Sequence, residues 1–186
     1  MLDNSPYEAR LIKSGKSYPS GWGDWCNESQ AKPLPGVLEF LLKAEQMGVK
    51  IFYVTNRKYE YEKGTLENFK KFGIPIEGDE DSLLMRYENG WDSNKTSRRE
   101  LIAKNHRVIF QIGDNLGDFV DLSLSHQSAE KRVEVVNKFN NMWGKYWFMI
   151  ENPTYGDWEG ALYKFNFDRS NQEIIQIRNK KLDEAR

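Results

Sequence analysis

The sequence VIFQIGDN covers residues 108–115 and joins an apolar run to a polar tripeptide. Short runs rich in β-branched and aromatic residues predict buried strands. We expect this strand to cover 108–112 and to end at Gly113. A carboxylate, Asp114, and an amide, Asn115, would then lie just beyond the end of the strand.

A second stretch repeats this arrangement earlier in the chain. The sequence VKIFYVTNR at 49–57 predicts a strand over 49–54, followed directly by Thr55-Asn56-Arg57. Further short strands are predicted at 83–85 and 146–150. Helices are predicted after Pro35-Gly36 as far as Gly48, through Leu66, Phe69 and Phe72 as far as Gly73, from Ser93 to Lys104, from Ser128 to Trp143, and over 170–185.

The alternation of strands and helices predicts an α/β fold with a mostly parallel, Rossmann-like sheet and helices on both faces. Ligands bind beyond the carboxyl ends of strands in such sheets, so we expect 55–57 and 113–115 to converge at one rim. The length of 186 residues suits one domain. Within it, residues 1–33 are predicted to form an aromatic-rich region of loops and short helix.

Composition excludes several classes of protein. Charged residues make up 30% of the chain, and no run approaches the roughly 20 apolar residues of a membrane-spanning helix. Lys and Arg number 27 against 28 Asp and Glu, a balance that argues against a nucleic-acid partner. The single cysteine, Cys26, excludes an internal disulfide, and it has no neighbouring base to make it a nucleophile. The sequence shows no signal peptide.

The sharpest chemical signal is the pair of carboxylates at Asp114 and Asp118, four residues apart. Two hard oxygen ligands in a short loop suit Mg²⁺, which one or two carboxylates and a substrate phosphate usually hold. The alternative is an Asp-Asn turn whose second aspartate caps a helix.

Two further segments offer groups that bind phosphate. Thr55, Asn56 and Arg57 supply a hydroxyl, an amide and backbone N–H groups, although Thr55 or Asn56 could simply cap a helix. Lys95 supplies a compact positive charge, although a solvated basic face is the alternative. For Arg98 and Arg99 we expect ordinary salt bridges.

Aromatic residues are dense in two polar segments. Such residues beside glycines can enclose a flat ligand ring, or they can pack as a small satellite core. The aromatic residues concerned are Tyr7, Tyr18, Trp22, Trp25, Tyr155 and Trp158.

Taken in order, these segments resemble the haloacid-dehalogenase-type acid phosphatases of subclass IIIB. Within that group the chain is most similar to the bacterial lipoprotein acid phosphatases and 5′-nucleotidases, or class C acid phosphatases. The stretches that carry the resemblance are LDNSPY at 2–7, PGV at 35–37, FYVTNR at 52–57, Asn94-Lys95 with Arg98-Arg99, GDNLGDF at 113–119 and NPTYGDWEG at 152–160.

The resemblance implies a role for each matching residue. Thr55 would bind the phosphoryl group and Lys95 would steady it, as the catalytic residues of this chain. Asp114 would be a Mg²⁺ ligand, supported by Asp118. The residues expected to contact the substrate or its leaving group are Asn56, Arg57, Tyr7, Tyr18, Trp25 and Tyr155.

One departure from the family pattern is large. The motif Asp-x-Asp-Glu-Thr, expected directly before Leu2, does not occur in the sequence. In the family its first aspartate is the nucleophile that forms an aspartyl-phosphate, and its second is the general acid and base. We therefore expect the first core strand to be missing and these 186 residues to be inactive. The chain is then either an N-terminally truncated phosphatase, which we favour, or a pseudoenzyme.

The resemblance implies Mg²⁺-dependent hydrolysis of small phosphomonoesters, nucleoside 5′-monophosphates among them. It also implies a periplasmic or outer-membrane lipoprotein, and a homo-oligomer is compatible with it. Two alternatives stay open: a non-catalytic module that binds nucleotide or phosphate, and an aromatic-lined sugar-binding domain whose ligand binding would ignore Mg²⁺.

Overall fold

The computed structural model describes residues 1–76, 78, 80–152 and 154–182. Two compact units make up the chain, Met1–His106 and Arg107–Arg186. Among the described residues no helix is long and apolar enough to cross a membrane. The helices are α1 (Ser5–Ser14), α2 (Trp22–Glu28), α3 (Val37–Gln46), α4 (Glu62–Phe72), α5 (Thr96–Asn105), α6 (Leu122–Ser125), α7 (Ala129–Lys138), α8 (Asp157–Leu162) and α9 (Asn171–Lys180). The strands are β1 (Tyr53–Lys58), β2 (Leu83–Arg86), β3 (Gln111–Gly113) and β4 (Trp147–Met149).

The first unit is built on the parallel pair of β1 and β2. Its main core joins this pair to apolar side chains of α3 and α4, among them Leu41 and Phe69. Helix α4 ends where Gly73 takes a left-handed conformation at φ 67°, which a residue without Cβ adopts at little cost. This end, the helix through Leu66 and Phe72, and the helix after Pro35-Gly36 confirm the predictions.

The N-terminal segment is more helical than the sequence indicated. Helices α1 and α2 pack around a second core of Tyr7, Leu11, Trp25 and Ala31. A single antiparallel bridge between Leu2 and Pro33 closes the segment. The sequence did not predict these helices in full, because they are short and their buried faces lack a sustained helical period. The glycines and prolines between them indicated loops instead.

The second unit is built on the parallel pair of β3 and β4, in the register Gln111↔Trp147 to Gly113↔Met149. Leu116, Phe119 and Val120 form its core, against which the rings of Trp143 and Trp147 pack. Of the apolar residues predicted to line this helix, Phe139 at its C-terminal end packs against the core, whereas Val133 and Val136 are 59% and 38% exposed. The C-terminal helix, predicted over 170–185, covers Asn171–Lys180, and residues 183–185 lie outside the described part.

Strand and helix limits differ from the predictions for a simple reason. A strand is defined by its partner, and β1 begins at Tyr53 opposite Leu83 although the apolar run begins at residue 49. The prediction that the strand ends at Val54 is wrong, because β1 continues to Lys58. In the same way β3 begins at residue 111, not 108, opposite the start of β4. The predicted cap at Ser93 is also wrong, since α5 begins at Thr96 with Lys95 at its N-cap.

Candidate active site

The predicted phosphate-binding tripeptide lies in a β-bulge inside β1. Val54 pairs with Leu84 and Lys58 pairs with Arg86, so β1 uses two more residues than β2 over this interval. The alternative interpretation was that Thr55 or Asn56 caps a helix. It is wrong, because neither residue lies at a helix N-cap. Bulges interrupt the ladder and re-aim side chains, often beside active sites. The conformation of Thr55, Asn56 and Arg57 is therefore set by contacts outside the regular ladder.

Arg98 supplies those contacts from α5. Its side chain is fully buried, and its Nη1 donates to the carbonyls of Thr55 at 2.6 Å and Leu84 at 3.4 Å. Its Nη2 donates to Asn56 Oδ1 at 2.8 Å and to the carbonyl of Asp92 at 3.1 Å. Among the described residues Arg98 makes no salt bridge, contrary to the prediction, and its guanidinium pairs with carbonyl and amide oxygens. Burial lowers the pKa of Arg98 to about 10, so it is still a cation at neutral pH.

The segment that leads to Lys95 is held against the same bulge. The amide of Asn56 donates from Nδ2 to the carbonyl of Ser93 at 3.0 Å. Asn94 Oδ1 then accepts the N–H of Thr96 at 3.1 Å in the first turn of α5. That turn carries no acidic side chain, so the positive end of the helix dipole and Lys95 act in the same direction.

Arg57 turns away from this edge into the interior of the first unit. It is 7% exposed, and its guanidinium lies over the ring of Trp22 at 5.6 Å. Its side chain also donates to Thr65 Oγ1 and to Asn4 Oδ1, each at 3.4 Å. These contacts tie β1 to α2 and α4, and they give Arg57 a structural role that the sequence did not indicate.

The two predicted metal ligands lie at the end of β3 and differ in their hydrogen bonds. Asp118 Oδ2 accepts the backbone N–H groups of Asp114 at 2.9 Å and Asn115 at 3.0 Å. Asp118 ends a 3₁₀ turn at Leu116–Asp118 and packs on Gly113, where an added Cβ would lie 2.5 Å from Asp118 Oδ2. The capping aspartate of the alternative interpretation is therefore present, and a cap does not exclude further oxygen ligation.

Asn152 connects Asp114 to the aromatic loop and was missed by the sequence analysis. Its Nδ2 donates to Asp114 Oδ2 at 2.6 Å. Its Oδ1 accepts the N–H of Thr154 at 3.2 Å and of Tyr155 at 3.3 Å, and its carbonyl accepts Trp158 Nε1 at 3.1 Å. Asparagine commonly folds its own following backbone in this way, and an Asn-Pro pair was the signal available in the sequence. Pro153 itself lies outside the described residues.

The predicted aromatic contacts divide into buried and exposed rings. Tyr7 and Trp25 are each 2% exposed, and their polar ends donate to the carbonyl of Ser20 and to Asn4 Oδ1. They form part of a satellite core, which was the alternative interpretation, and their predicted role at the substrate stays a prediction. Tyr18 and Tyr155 are exposed and accessible to a ligand.

The donors at the end of β3 fit a small divalent cation. Asp114 and Asp118 are carboxylates, and Asn152 orients one of them in the way that outer-shell partners orient metal ligands. Among the residues described, no three or more His, Cys, Asp and Glu side chains gather into a metal-binding group. Mg²⁺ does not require such a group, since it keeps waters and takes ligands from substrate phosphate.

Residues 1–158 match the family described as HAD superfamily, subfamily IIIB (acid phosphatase). The chain belongs to this family. Its members hydrolyse phosphoric monoesters, which confirms the predicted class of enzyme, and HAD phosphatases generally use a divalent metal ion.

Two solved structures are similar to the chain over its whole length. The class C acid phosphatase from Bacillus anthracis has a TM-score of 0.87 and 37% identity, with 100% of this chain and 76% of that chain covered. The form with tungstate bound has a TM-score of 0.88, with the same identity and coverage. The predicted α/β fold of the haloacid-dehalogenase type is thereby confirmed.

Proposed function

We propose that the chain binds phosphomonoesters through Thr55 and Lys95, and that Asp114 and Asp118 hold Mg²⁺. Nucleoside 5′-monophosphates are the proposed substrate class. The observation that carries the proposal is the bulge in β1, where Arg98 and Asn56 fix Thr55 and the segment before Lys95 within one edge of the first unit. Tungstate, an analogue of phosphate, is bound by the similar phosphatase from B. anthracis.

Thr55 and Lys95 have the chemistry to bind a phosphoryl group. Thr55 Oγ1 accepts the N–H of Arg57 at 3.1 Å, which directs the hydroxyl hydrogen toward a second acceptor such as a phosphate oxygen. Lys95 adds a positive charge at the N-terminus of α5, where the helix dipole favours an anion. Charge-assisted hydrogen bonds of this kind are about twice as strong as neutral ones.

Asp114 and Asp118 supply the hard oxygen atoms that Mg²⁺ prefers. When bound, Mg²⁺ polarises the phosphoryl group and neutralises part of its charge. Asn152 holds the carboxylate of Asp114 in one orientation, because its amide donates to Oδ2. The same asparagine positions Tyr155 and Trp158, whose exposed rings can stack on a flat leaving group such as a nucleobase.

We further propose that these 186 residues bind substrate without turning it over. The sequence contains no Asp-x-Asp-Glu-Thr, so it lacks the nucleophile and the acid and base that the resemblance implies. The periplasmic or outer-membrane location implied by the family stays a prediction.

Binding and turnover are tested separately. In calorimetric titrations with Mg²⁺ present, we expect AMP and inorganic phosphate to bind and adenosine to bind far more weakly. Lys95→Met should weaken the binding of phosphate by about tenfold, the effect of losing one charged hydrogen bond. The matched control is Lys104→Met, an exposed lysine at the other end of α5.

Three results would contradict the proposal. Equal affinity for AMP and adenosine would show that the phosphate is not recognised. Binding that ignores Mg²⁺ would favour the sugar-binding alternative. Hydrolysis of p-nitrophenyl phosphate that Asp114→Asn abolishes would refute the statement that the missing aspartates are indispensable.

A further inference from the structure

The β1 bulge leaves backbone groups to be satisfied from outside the ladder. Between its pairs at Val54 and Lys58, β1 has three residues where β2 has one. The Nη1 of Arg98 donates across this interval to the carbonyls of Thr55 and Leu84, one on each strand. A single guanidinium group thus holds the bulged strand and its partner together at the predicted phosphate-binding residue.

The other arm of the same guanidinium holds the loop that precedes Lys95. Its Nη2 donates to the carbonyl of Asp92 at 3.1 Å and of Asn94 at 3.5 Å. It also donates to Asn56 Oδ1 at 2.8 Å, while Asn56 Nδ2 donates to the carbonyl of Ser93 at 3.0 Å. Three consecutive carbonyls of the loop are therefore bound by one arginine and the asparagine that it orients.

We propose that Arg98 is a positioning residue that fixes the location of Lys95 relative to Thr55. The proposal rests on the proposed function, in which these two residues bind the phosphoryl group. Lysine has a flexible side chain, so the point where its backbone is anchored decides where its charge can act. A displacement of about 1 Å at such a site can reduce activity by about 100-fold.

The chemistry of the site requires arginine in particular. A planar guanidinium presents its N–H donors in a fixed fork, and here those on Nη1 and Nη2 reach two strands and a loop at once. The ammonium group of lysine offers three donors at a single point and cannot span these acceptors. Burial of the charge is costly. The sequence also allowed a solvated basic face here, which would not incur that cost. Arg98 does not lie on such a face, because it is 0% exposed.

The test is a double-mutant cycle on the 186-residue chain, with tungstate as the probe. The four proteins are the unchanged chain, Arg98→Lys, Lys95→Met and the double variant, each titrated by calorimetry at one pH and one salt concentration. We expect Arg98→Lys to weaken tungstate binding by about tenfold and to have little further effect when Lys95 is already replaced. This coupling separates positioning of Lys95 from a general loss of stability.

Hydrogen exchange gives a second measurement that needs no ligand. We expect Arg98→Lys to speed exchange at residues 55–57 and 92–97, with α4 and the second unit unchanged. Leu41→Ala, which leaves a cavity in the core of the same unit, is the control for lost stability, and it should not change exchange selectively in those segments. If Arg98→Lys does not fold, Asn56→Ala takes its place, because Asn56 is exposed and supplies the contact with Ser93.

Each outcome decides either the positioning role of Arg98 or the proposed function. Equal losses from Arg98→Lys with and without Lys95 would overturn the positioning role, and so would unchanged tungstate binding or unchanged exchange at 92–97. Failure of the unchanged chain to bind tungstate, or a Lys95→Met variant that binds as well, would contradict the proposed function instead. The exchange result would still decide whether Arg98 holds the loop.

Discussion

The two units hold their candidate residues by different means. In the first unit the supports are buried: Arg98 is 0% exposed and Asn68 is 1% exposed. In the second unit they lie nearer to solvent, where half-buried Asn152 and the capping carboxylate of Asp118 set the loop after β3. Buried polar groups must keep every partner, whereas groups near solvent can exchange a lost partner for water.

This difference predicts two kinds of behaviour. The edge that carries Thr55 and Lys95 is fixed by the folding of the first unit, and it is present before any ligand binds. The loop that carries Asp114 and Asp118 is fixed by local hydrogen bonds of modest net energy, about 1 kcal/mol each. Mutations of the buried supports in the first unit should therefore cost more stability than mutations of the supports in the second unit.

Two asparagines give the largest expected contrast. Asn68 donates to the carbonyl of Ala31 at 2.7 Å and accepts its N–H at 2.9 Å, entirely within the interior. Asn68→Ala leaves both groups of Ala31 buried without a partner, so we expect a loss of about 3 kcal/mol in the free energy of unfolding. Asn152→Ala should cost about 1 kcal/mol, and it should weaken Mg²⁺ binding by about tenfold through Asp114.

Urea unfolding and calorimetry with Mg²⁺ measure the two effects. Asn166→Ala is the control for Asn152→Ala, because Asn166 Oδ1 accepts a backbone N–H, that of Asp168, at an exposed turn. An Asn152→Ala variant as unstable as Asn68→Ala would contradict the proposed division between the units. So would unchanged Mg²⁺ affinity in a folded Asn152→Ala protein.

Gly64 tests how rigid the first unit is. A Cβ at this position in α4 would lie 2.6 Å from the carbonyl oxygen of Cys26 and 2.8 Å from the Cα of Asn27. These are backbone atoms of α2, so relief cannot come from the movement of a flexible side chain. We expect Gly64→Ala to cost about 2 kcal/mol, measured by urea unfolding. Gly78→Ala is the neutral control, because its Cβ would meet no atom of the described residues within 4 Å.

Gly113 is the corresponding test in the second unit. The atoms nearest to its added Cβ would be those of the Asp118 side chain, with the Cβ and Oδ2 of that residue both at 2.5 Å. The carboxylate must then leave the N–H groups of Asp114 and Asn115, at a cost of about 1–2 kcal/mol. We expect Mg²⁺ affinity to fall more clearly than stability, as titration and thermal unfolding would show. A variant with normal Mg²⁺ binding would mean that Asp118 has no part in holding the cation.

The sequence predicted those helices and strands whose signal is local. Helix α4, its stop at Gly73 and the strand at Leu83 follow from periodicity and turn chemistry, so they could be predicted. The pair of Asp114 and Asp118 was predicted in the same way, from spacing after an apolar run. The chain order of the motifs supported the family, which the match over residues 1–158 confirmed.

The contacts that organise the candidate site could not be predicted in this way. Arg98 reaches Thr55, 43 positions earlier, and Asn152 reaches Asp114, 38 positions earlier. Such pairs depend on how strands and helices pack, and a polar residue in a charged stretch carries no sign of its burial. The sequence also could not show that Tyr7 and Trp25 are buried in a small core. Aromatic residues beside glycines are equally typical of a binding site and of such a core.

The pH dependence of stability should divide between the units, and a buried thiol contributes to the effect in the first, as do tyrosines such as Tyr53 whose pKa burial also raises. Burial raises the pKa of Cys26 above its ordinary value of 9.0, against a smaller opposing effect of Arg57. Above pH 9 the unfolded thiol ionises while the folded one keeps its proton, so stability present at lower pH is lost as the pH rises. We expect Cys26→Ala to reduce this alkaline loss in urea unfolding between pH 8 and about 11. An identical alkaline loss in Cys26→Ala would exclude the thiol as its source.

The smallest expected effect lies at acid pH in the second unit. Hydrogen bonds from its own backbone N–H, then from Lys181 and Ser128, lower the pKa of Glu130 from 4.5 to about 2. Its stabilising contribution is therefore present above pH 4.5 and is lost as the pH falls toward 2, the opposite direction to that of Cys26. Because Glu130 is exposed, solvent screens the interaction and the effect should be small. Urea unfolding of Glu130→Gln at pH 7 and pH 3 should show a slightly smaller acid loss than the unchanged chain, and a larger one would reverse the assigned sign.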